Sequence, residues 1–193
     1  MDISKITDYL YIAASLQSEH VDELGARNIN LIISMIGGRC PPEIYSQPPY
    51  RLLWLQTFDS ALLPIPISKL MRGVQMALPA IQDGGNVLVY CAQGRHRSVA
   101  MAAAILIAVG YTVPEAMELL CTRREVADPK TWHIYQRIEA FEKHWRNKIG
   151  TPNRIVNNIG EAYSELATNL ISNIIFQHIR LSRGFLRDTF MKS

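Results

Sequence analysis

Residues 86–109, NVLVYCAQGRHRSVAMAAAILIAV, decide how the rest of the chain is read. Val87, Leu88 and Val89 make a short apolar run suited to a buried strand. A polar turn from Cys91 to Arg97 follows, with Gly94 inside it, and then a long apolar segment from Ser98 to Val109 that carries no charge on any face. Such a helix must be buried on most sides, which puts it at the centre of a domain. In a strand, tight loop and helix in succession, the loop N–H groups and the helix N-terminus converge on one point, where an anion is best stabilised.

The spacing suits phosphoryl chemistry. A nucleophile must lie under the phosphorus, so Cys91 belongs at the strand end, at the base of a cradle made by the amides of Ala92, Gln93, Gly94, Arg95, His96 and Arg97. The helix dipole, the amides and Arg97 should depress the thiol pKa and favour the thiolate. Arg97 can also hold two phosphate oxygens with its planar fork and follow charge into the transition state. Ser98 stands where its hydroxyl could donate to the sulfur and help it leave. Gly94 allows the tight turn.

Cys91, Gly94, Arg97 and Ser98 reproduce a Cys-x5-Arg-Ser/Thr signature, and the chain resembles the cysteine-dependent protein tyrosine phosphatases, most closely the dual-specificity branch. By ordinary residue frequencies Cys-x2-Gly-x2-Arg-Ser arises by chance on the order of once in a thousand chains of this length. A rhodanese-type sulfur-transfer loop also sets Cys before a backbone cradle, and sulfur-transfer and phosphate-release assays separate the two. The resemblance implies a phosphotyrosine protein phosphatase-like α/β fold, with a central, largely parallel sheet of four or five strands flanked by helices. It implies a phosphomonoester hydrolase working through a cysteinyl-phosphate on phosphotyrosine and phosphoserine/threonine. A phosphoinositide or other lipid-phosphate phosphatase and a weak phosphate-binding pseudophosphatase are the alternatives. No metal or cofactor is expected, since the loop and Arg97 do the electrostatic work that Mg²⁺ does in kinases.

Working outward, Ile6 to Ala13 alternate loosely and end in Leu10, Tyr11 and Ile12, which reads as the first strand. It resembles the family's opening strand, with Ala13 where that pattern has glycine. A helix is expected from about Ser18 to Arg27 with Val21 and Leu24 inward, a strand from Asn30 to Met35, and a loop from Gly37 to Tyr50 that contains four prolines. Cys40 in that loop reads as an incidental thiol or a redox partner for Cys91. Arg51 to Leu55 forms a third strand and runs into Asp59, thirty-two residues before Cys91. There, after a strand, the family carries its general-acid aspartate, and the reaction needs one because an alkoxide or phenolate leaves slowly without a proton. Asp83, in the turn at Gly84 and Gly85, would sit at the far end of the final strand from Cys91.

A helical stripe from Ile67 to Gln82 ends at those glycines. Thr112-x-x-Glu115 makes a capping box for a helix to about Arg124, with Cys121 expected in or near the core. Asp128 before Pro129 is expected to cap a last helix in which Ile134, Ile138, Phe141 and Trp145 recur at helical spacing. The resemblance covers roughly residues 4–147, and outside the loop it rests on element order. Three positions depart from the pattern or add to it. The family has His before its nucleophile, where this chain has Tyr90. Arg95 and His96 make the loop unusually basic, as in family members acting on phosphorylated lipids, or are solvated side chains on its lip.

At 193 residues, 48% of them apolar, the chain is long enough for one sizeable core. A net charge of +3 does not announce nucleic-acid binding. Three dispersed cysteines suit a reducing compartment, and the expected location is cytoplasmic. The N-terminal sequence has no secretory pattern and no apolar run is long enough to span a membrane. We expect a catalytic domain at residues 1–149 and a helical C-terminal extension at 150–193. For residues 151–193 three readings stand: a helix folded back on the domain, a homodimer contact, or a peripheral membrane-surface helix with a basic end. The expected partner of the catalytic domain is a phosphorylated protein or phospholipid.

Overall fold

A computed structural model describes residues 1–149. The expected extension at 150–193, with its docking, dimer and membrane-surface readings, lies outside the described residues. Five strands form one sheet in the order β1-β2-β5-β3-β4, where β1 is Ile3–Lys5, β2 Leu10–Ala14, β3 Ile29–Ser34, β4 Arg51–Trp54 and β5 Asn86–Cys91. Only the β1–β2 pair is antiparallel. The fold is thus the α/β arrangement with a largely parallel sheet that the sequence implied. Five α-helices accompany it among the described residues: α1 Val21–Ala26, α2 Ile67–Gln82, α3 Arg97–Ala108, α4 Val113–Arg123 and α5 Trp132–Ile149.

The pleat sends alternate side chains to opposite faces of the sheet. Tyr11, Ala13, Leu88 and Tyr90 join Leu24 of α1, Tyr45 and Tyr50 in one buried cluster. Ile29 and Ile32 belong to the same cluster although three residues apart, because a bulge between Ile29 and Leu31 shifts the register by one. The alternate set, Leu10, Ile12, Leu31, Ile33, Val87 and Val89, is wholly buried as well. Helix α3 packs against α2, α4, α5 and the inner strands, and all of its residues are buried, as a helix without a charged face requires.

Several local expectations need correction. The opening is a hairpin: Ile3 to Lys5 pair with Tyr11 to Ala13, and Ile6 sits in the turn, its N–H bonded to Leu10 O. The expected helix at 18–27 begins as a 3-10 turn at Ser18–His20, and α1 follows with Leu24 buried and Val21 partly covered. The proline-rich loop is anchored, since Tyr45 donates to Gln17 O at 2.6 Å and Tyr50 to Val21 O at 2.8 Å. Asp128 braces the turn ahead of α5, accepting from Thr131 N–H and hydroxyl, and the helix starts at Trp132. Cys121 is exposed, as is Cys40. By contrast α2 spans the stripe as expected, and the Thr112–Glu115 box caps α4 reciprocally.

Because β2, β5, β3 and β4 are parallel, their carboxyl ends meet at one edge, and the turns that follow them are stitched together. Ser15 N–H donates to Cys91 O, Met35 N–H to Tyr90 O and Leu55 N–H to Ser34 O, each at 2.9 Å. Clefts of open parallel sheets form at that edge.

Replacing Ile105, fully buried at the middle of α3, by Ala should cost about 2–5 kcal/mol. Urea unfolding should show this as a lower midpoint at an unchanged slope.

Candidate active site

Cys91 closes β5 and Arg97 opens α3, so five residues must turn the chain between them. Gly94 makes that turn at φ +62°, in the left-handed region. A Cβ there would also collide with the Arg124 guanidinium. Cys91 is buried, with its Sγ 3.2 Å from the hydroxyl oxygen of Ser98, itself fully buried. The backbone N–H groups of Gln93, Arg95 and Ser98 also act on the sulfur in the sense that favours its thiolate. Burial alone pushes this thiol up. The Ser98 hydroxyl and the three N–H groups more than offset it, and the net shift is downward.

Arg97 is buried, and its Nη1 donates to Met35 O at 3.0 Å and to Thr57 O at 2.8 Å. Thr57 Oγ1 donates to the same Met35 O, and Gly37 N–H to the same Thr57 O. Gly37 allows this approach, since a Cβ would lie 2.9 Å from Thr57 O. Arg97 Nε is buried, has no hydrogen-bond partner among the described residues and lies 3.9 Å from Asp59 Oδ2. The guanidinium is thus hydrogen-bonded at Nη1 and faces Asp59 through Nε.

Asp59, exposed on the loop after β4, is held from two further sides. His96 Nδ1 stands 3.2 and 3.1 Å from its two oxygens, and His133 Nε2 3.5 Å from Oδ1. The structure therefore brings Cys91 against Ser98 and Asp59 beside Arg97. Of the other loop residues, Ala92, Gln93 and Arg95 are exposed, Gly94 is buried and His96 half-buried. Neither basic loop residue is free: Arg95 Nη2 donates to Asp128 Oδ2 at 3.3 Å, and His96 faces Asp59. Tyr90 is a buried core residue.

Two contributors escaped the sequence reading. Arg124, just past α4 and buried, donates from Nε to Gly94 O at 2.7 Å and from Nη2 to Gln93 O at 3.4 Å. Its other bonds go to Asp2 and Ser4 on the opening hairpin. In a planar trans peptide the C=O and the following N–H point opposite ways. Pulling Gly94 O outward thus turns the Arg95 N–H inward, toward the sulfur. His133, in the first turn of α5, is the second. Both lie in a charged stretch with the look of a solvated helix end, and only long-range folding shows otherwise.

No family model matches the sequence. Over 144 residues, 74% of this chain, it is 30% identical to dual specificity protein phosphatase 1B of Arabidopsis thaliana and covers 83% of that protein. The chain belongs to the dual-specificity phosphatase family. It is also 27% identical over 144 residues to the Arabidopsis protein-tyrosine-phosphatase MKP1, of which it spans 18%. Two solved structures share the fold. A mouse putative dual specificity phosphatase complexed with zinc tungstate aligns at TM-score 0.69 and 22% identity, over 79% of this chain and 93% of that one. PTPMT1 in complex with PI(5)P aligns at TM-score 0.68 and 23% identity, over 76% and 97%.

Removing the Ser98 hydroxyl deletes a hydrogen bond that favours the thiolate, so Ser98→Ala should raise the Cys91 pKa. Alkylation of Cys91 by iodoacetamide, followed by peptide mass spectrometry against pH, should have its midpoint below that of a free thiol in the wild type. The midpoint should move upward in Ser98→Ala.

Proposed function

We propose that this phosphatase-family chain hydrolyses phosphomonoesters of proteins, phosphotyrosine and phosphoserine/threonine alike, through a cysteinyl-phosphate. Residues 1–149 carry the catalysis in a reducing, cytoplasmic setting that keeps the thiol free. Cys91 Sγ attacks phosphorus and forms an S–P bond as the P–O bond to the leaving group breaks. Arg97 Nε and the amides of residues 92–97 hold the three spectator oxygens. Asp59 gives its proton to the departing oxygen, then takes one from the water that attacks the S–P bond. Ser98 donates to the sulfur as it leaves. The observation that supports this most strongly is a buried thiol whose pKa is lowered by Ser98 and the backbone N–H groups of its own loop, in the same Cys91–Arg97 turn as a buried guanidinium whose Nε faces Asp59.

A lipid-phosphate substrate is the second reading, favoured by the fold shared with PTPMT1 bound to PI(5)P. Against it, the two basic loop residues that would meet a second phosphate, Arg95 and His96, already face Asp128 and Asp59. Tyr90 speaks for a binding-only pseudophosphatase, since it occupies the place of the family's histidine. The loop amides and Ser98 nonetheless favour the thiolate without that histidine.

Phosphate release from an aryl phosphate should be abolished in Cys91→Ser and reduced by about 10²–10⁴ in Asp59→Asn, with the larger loss on alkyl phosphates, whose leaving groups need the proton more. Turnover that survives Cys91→Ser would overturn the mechanism. Phosphopeptide binding without any turnover would favour the pseudophosphatase. A panel of phosphotyrosyl peptides, phosphothreonyl peptides and phosphoinositides separates protein from lipid substrates.

A further inference from the structure

Three side chains from separate elements converge beside Arg97. Asp59 of the loop after β4, His96 of the 91–97 loop and His133 of α5 each present one donor atom, all within 4.8 Å of one another. Around Asp59 Oδ1, His96 Nδ1 stands at 3.2 Å and His133 Nε2 at 3.5 Å. A tetrahedral zinc ion with bonds of about 2.0–2.1 Å holds its ligand atoms roughly 3.3–3.4 Å apart, and the two distances bracket that value.

The His133 nitrogen facing Asp59 is buried and makes no hydrogen bond among the described residues, a costly state for a polar atom unless something binds it. His96 Nε2 is also buried and unbonded, and it faces Asp128 Oδ2 at 3.9 Å. A histidine that binds metal through one nitrogen usually turns the other toward a carboxylate, which orients the ring and raises its basicity. Asp128 stands on that side, held by Thr131 and Arg95.

We propose that Asp59, His96 and His133 form an inhibitory binding site for a divalent transition-metal ion of the zinc class. Two imidazoles and one carboxylate select zinc-like ions over Mg²⁺ and Ca²⁺, which require oxygen ligands. Three protein ligands leave a fourth position for water. A carboxylate binds metal only when deprotonated, so metal on Asp59 leaves no proton for the departing oxygen. The inhibition rests on the phosphatase reading above, whereas the binding does not.

The test is titration of the untagged, metal-free, full-length protein with Co²⁺, followed by its tetrahedral visible absorption and by competition with Zn²⁺. One ion should bind per chain. His96→Asn and His133→Asn should each weaken binding by more than about tenfold, since loss of even an outer-sphere partner costs 10–100-fold. Cys91→Ser should leave binding intact. Zn²⁺ should suppress aryl phosphate hydrolysis in the wild type, a chelator should restore it, and His133→Asn should need more than about tenfold higher Zn²⁺ for the same fractional loss. Thermal melts check that each variant folds, and His133→Asn, outside the loop, carries the test if His96→Asn does not. Absence of saturable Co²⁺ binding, unchanged binding in a folded His133→Asn, or loss of binding in Cys91→Ser would overturn the site. Absence of hydrolysis by the metal-free protein would instead overturn the phosphatase reading, and the cobalt titration would still decide the site.

Discussion

A guanidinium cannot be neutralised by losing its proton at any ordinary pH, so burying one obliges the fold to supply acceptors. The turns after β3 and β4 answer to Arg97 in this way. Met35 O and Thr57 O take its Nη1, and Thr57 Oγ1 and Gly37 N–H complete the same small network. Three loops, each following a parallel strand, thereby acquire one fixed relation, and the loop bearing Asp59 is one of them. A lysine could bring the charge, but a single ammonium group cannot be tethered along one edge and still offer another.

The second buried arginine works from behind. Arg124 grips Gly94 O and Gln93 O and is balanced by Asp2. Because each peptide is planar, its hold on the carbonyls sets which way the N–H groups face. The inward amides around the sulfur therefore depend on a residue beyond α4 and on the opening hairpin, both remote from the loop in sequence. The local turn supplies Gly94, and the tertiary structure keeps the turn in the state that lowers the Cys91 pKa.

That division explains what could be read in advance. The buried strand, the loop and the uncharged helix were legible because they announce themselves within two dozen residues, and so were α2 and the Thr112 box. Asp59 was legible through its distance from a strand and from Cys91, although its contacts with His96 and His133 were not. The hairpin was missed because β1 is three residues long and only partly buried, so it shows little alternation. The order in residues 37–50 was missed because it comes from the hydroxyls of Tyr45 and Tyr50 reaching carbonyls far earlier in the chain. Arg124 entered only as the end of a helix and His133 not at all, since no local pattern marks a polar side chain whose partners lie on other elements.

The charges around the thiol also bear on selectivity. From sequence, Arg95, His96 and Arg97 form a dense patch that would draw polyanions. In the fold, Arg95 is answered by Asp128 and His96 by Asp59, and Arg97 has spent one nitrogen on backbone carbonyls. Under the proposed mechanism, what remains for a phosphate is the backbone N–H groups of the loop and the Nε edge of one guanidinium. Such a set would match one phosphoryl group better than two. A second phosphate would have to displace Asp128 from Arg95 or Asp59 from His96, and the latter carboxylate is the group proposed to protonate the leaving oxygen. Rim binding and proton donation therefore compete for one histidine, which favours a substrate recognised by its single phosphate and by the chain around it.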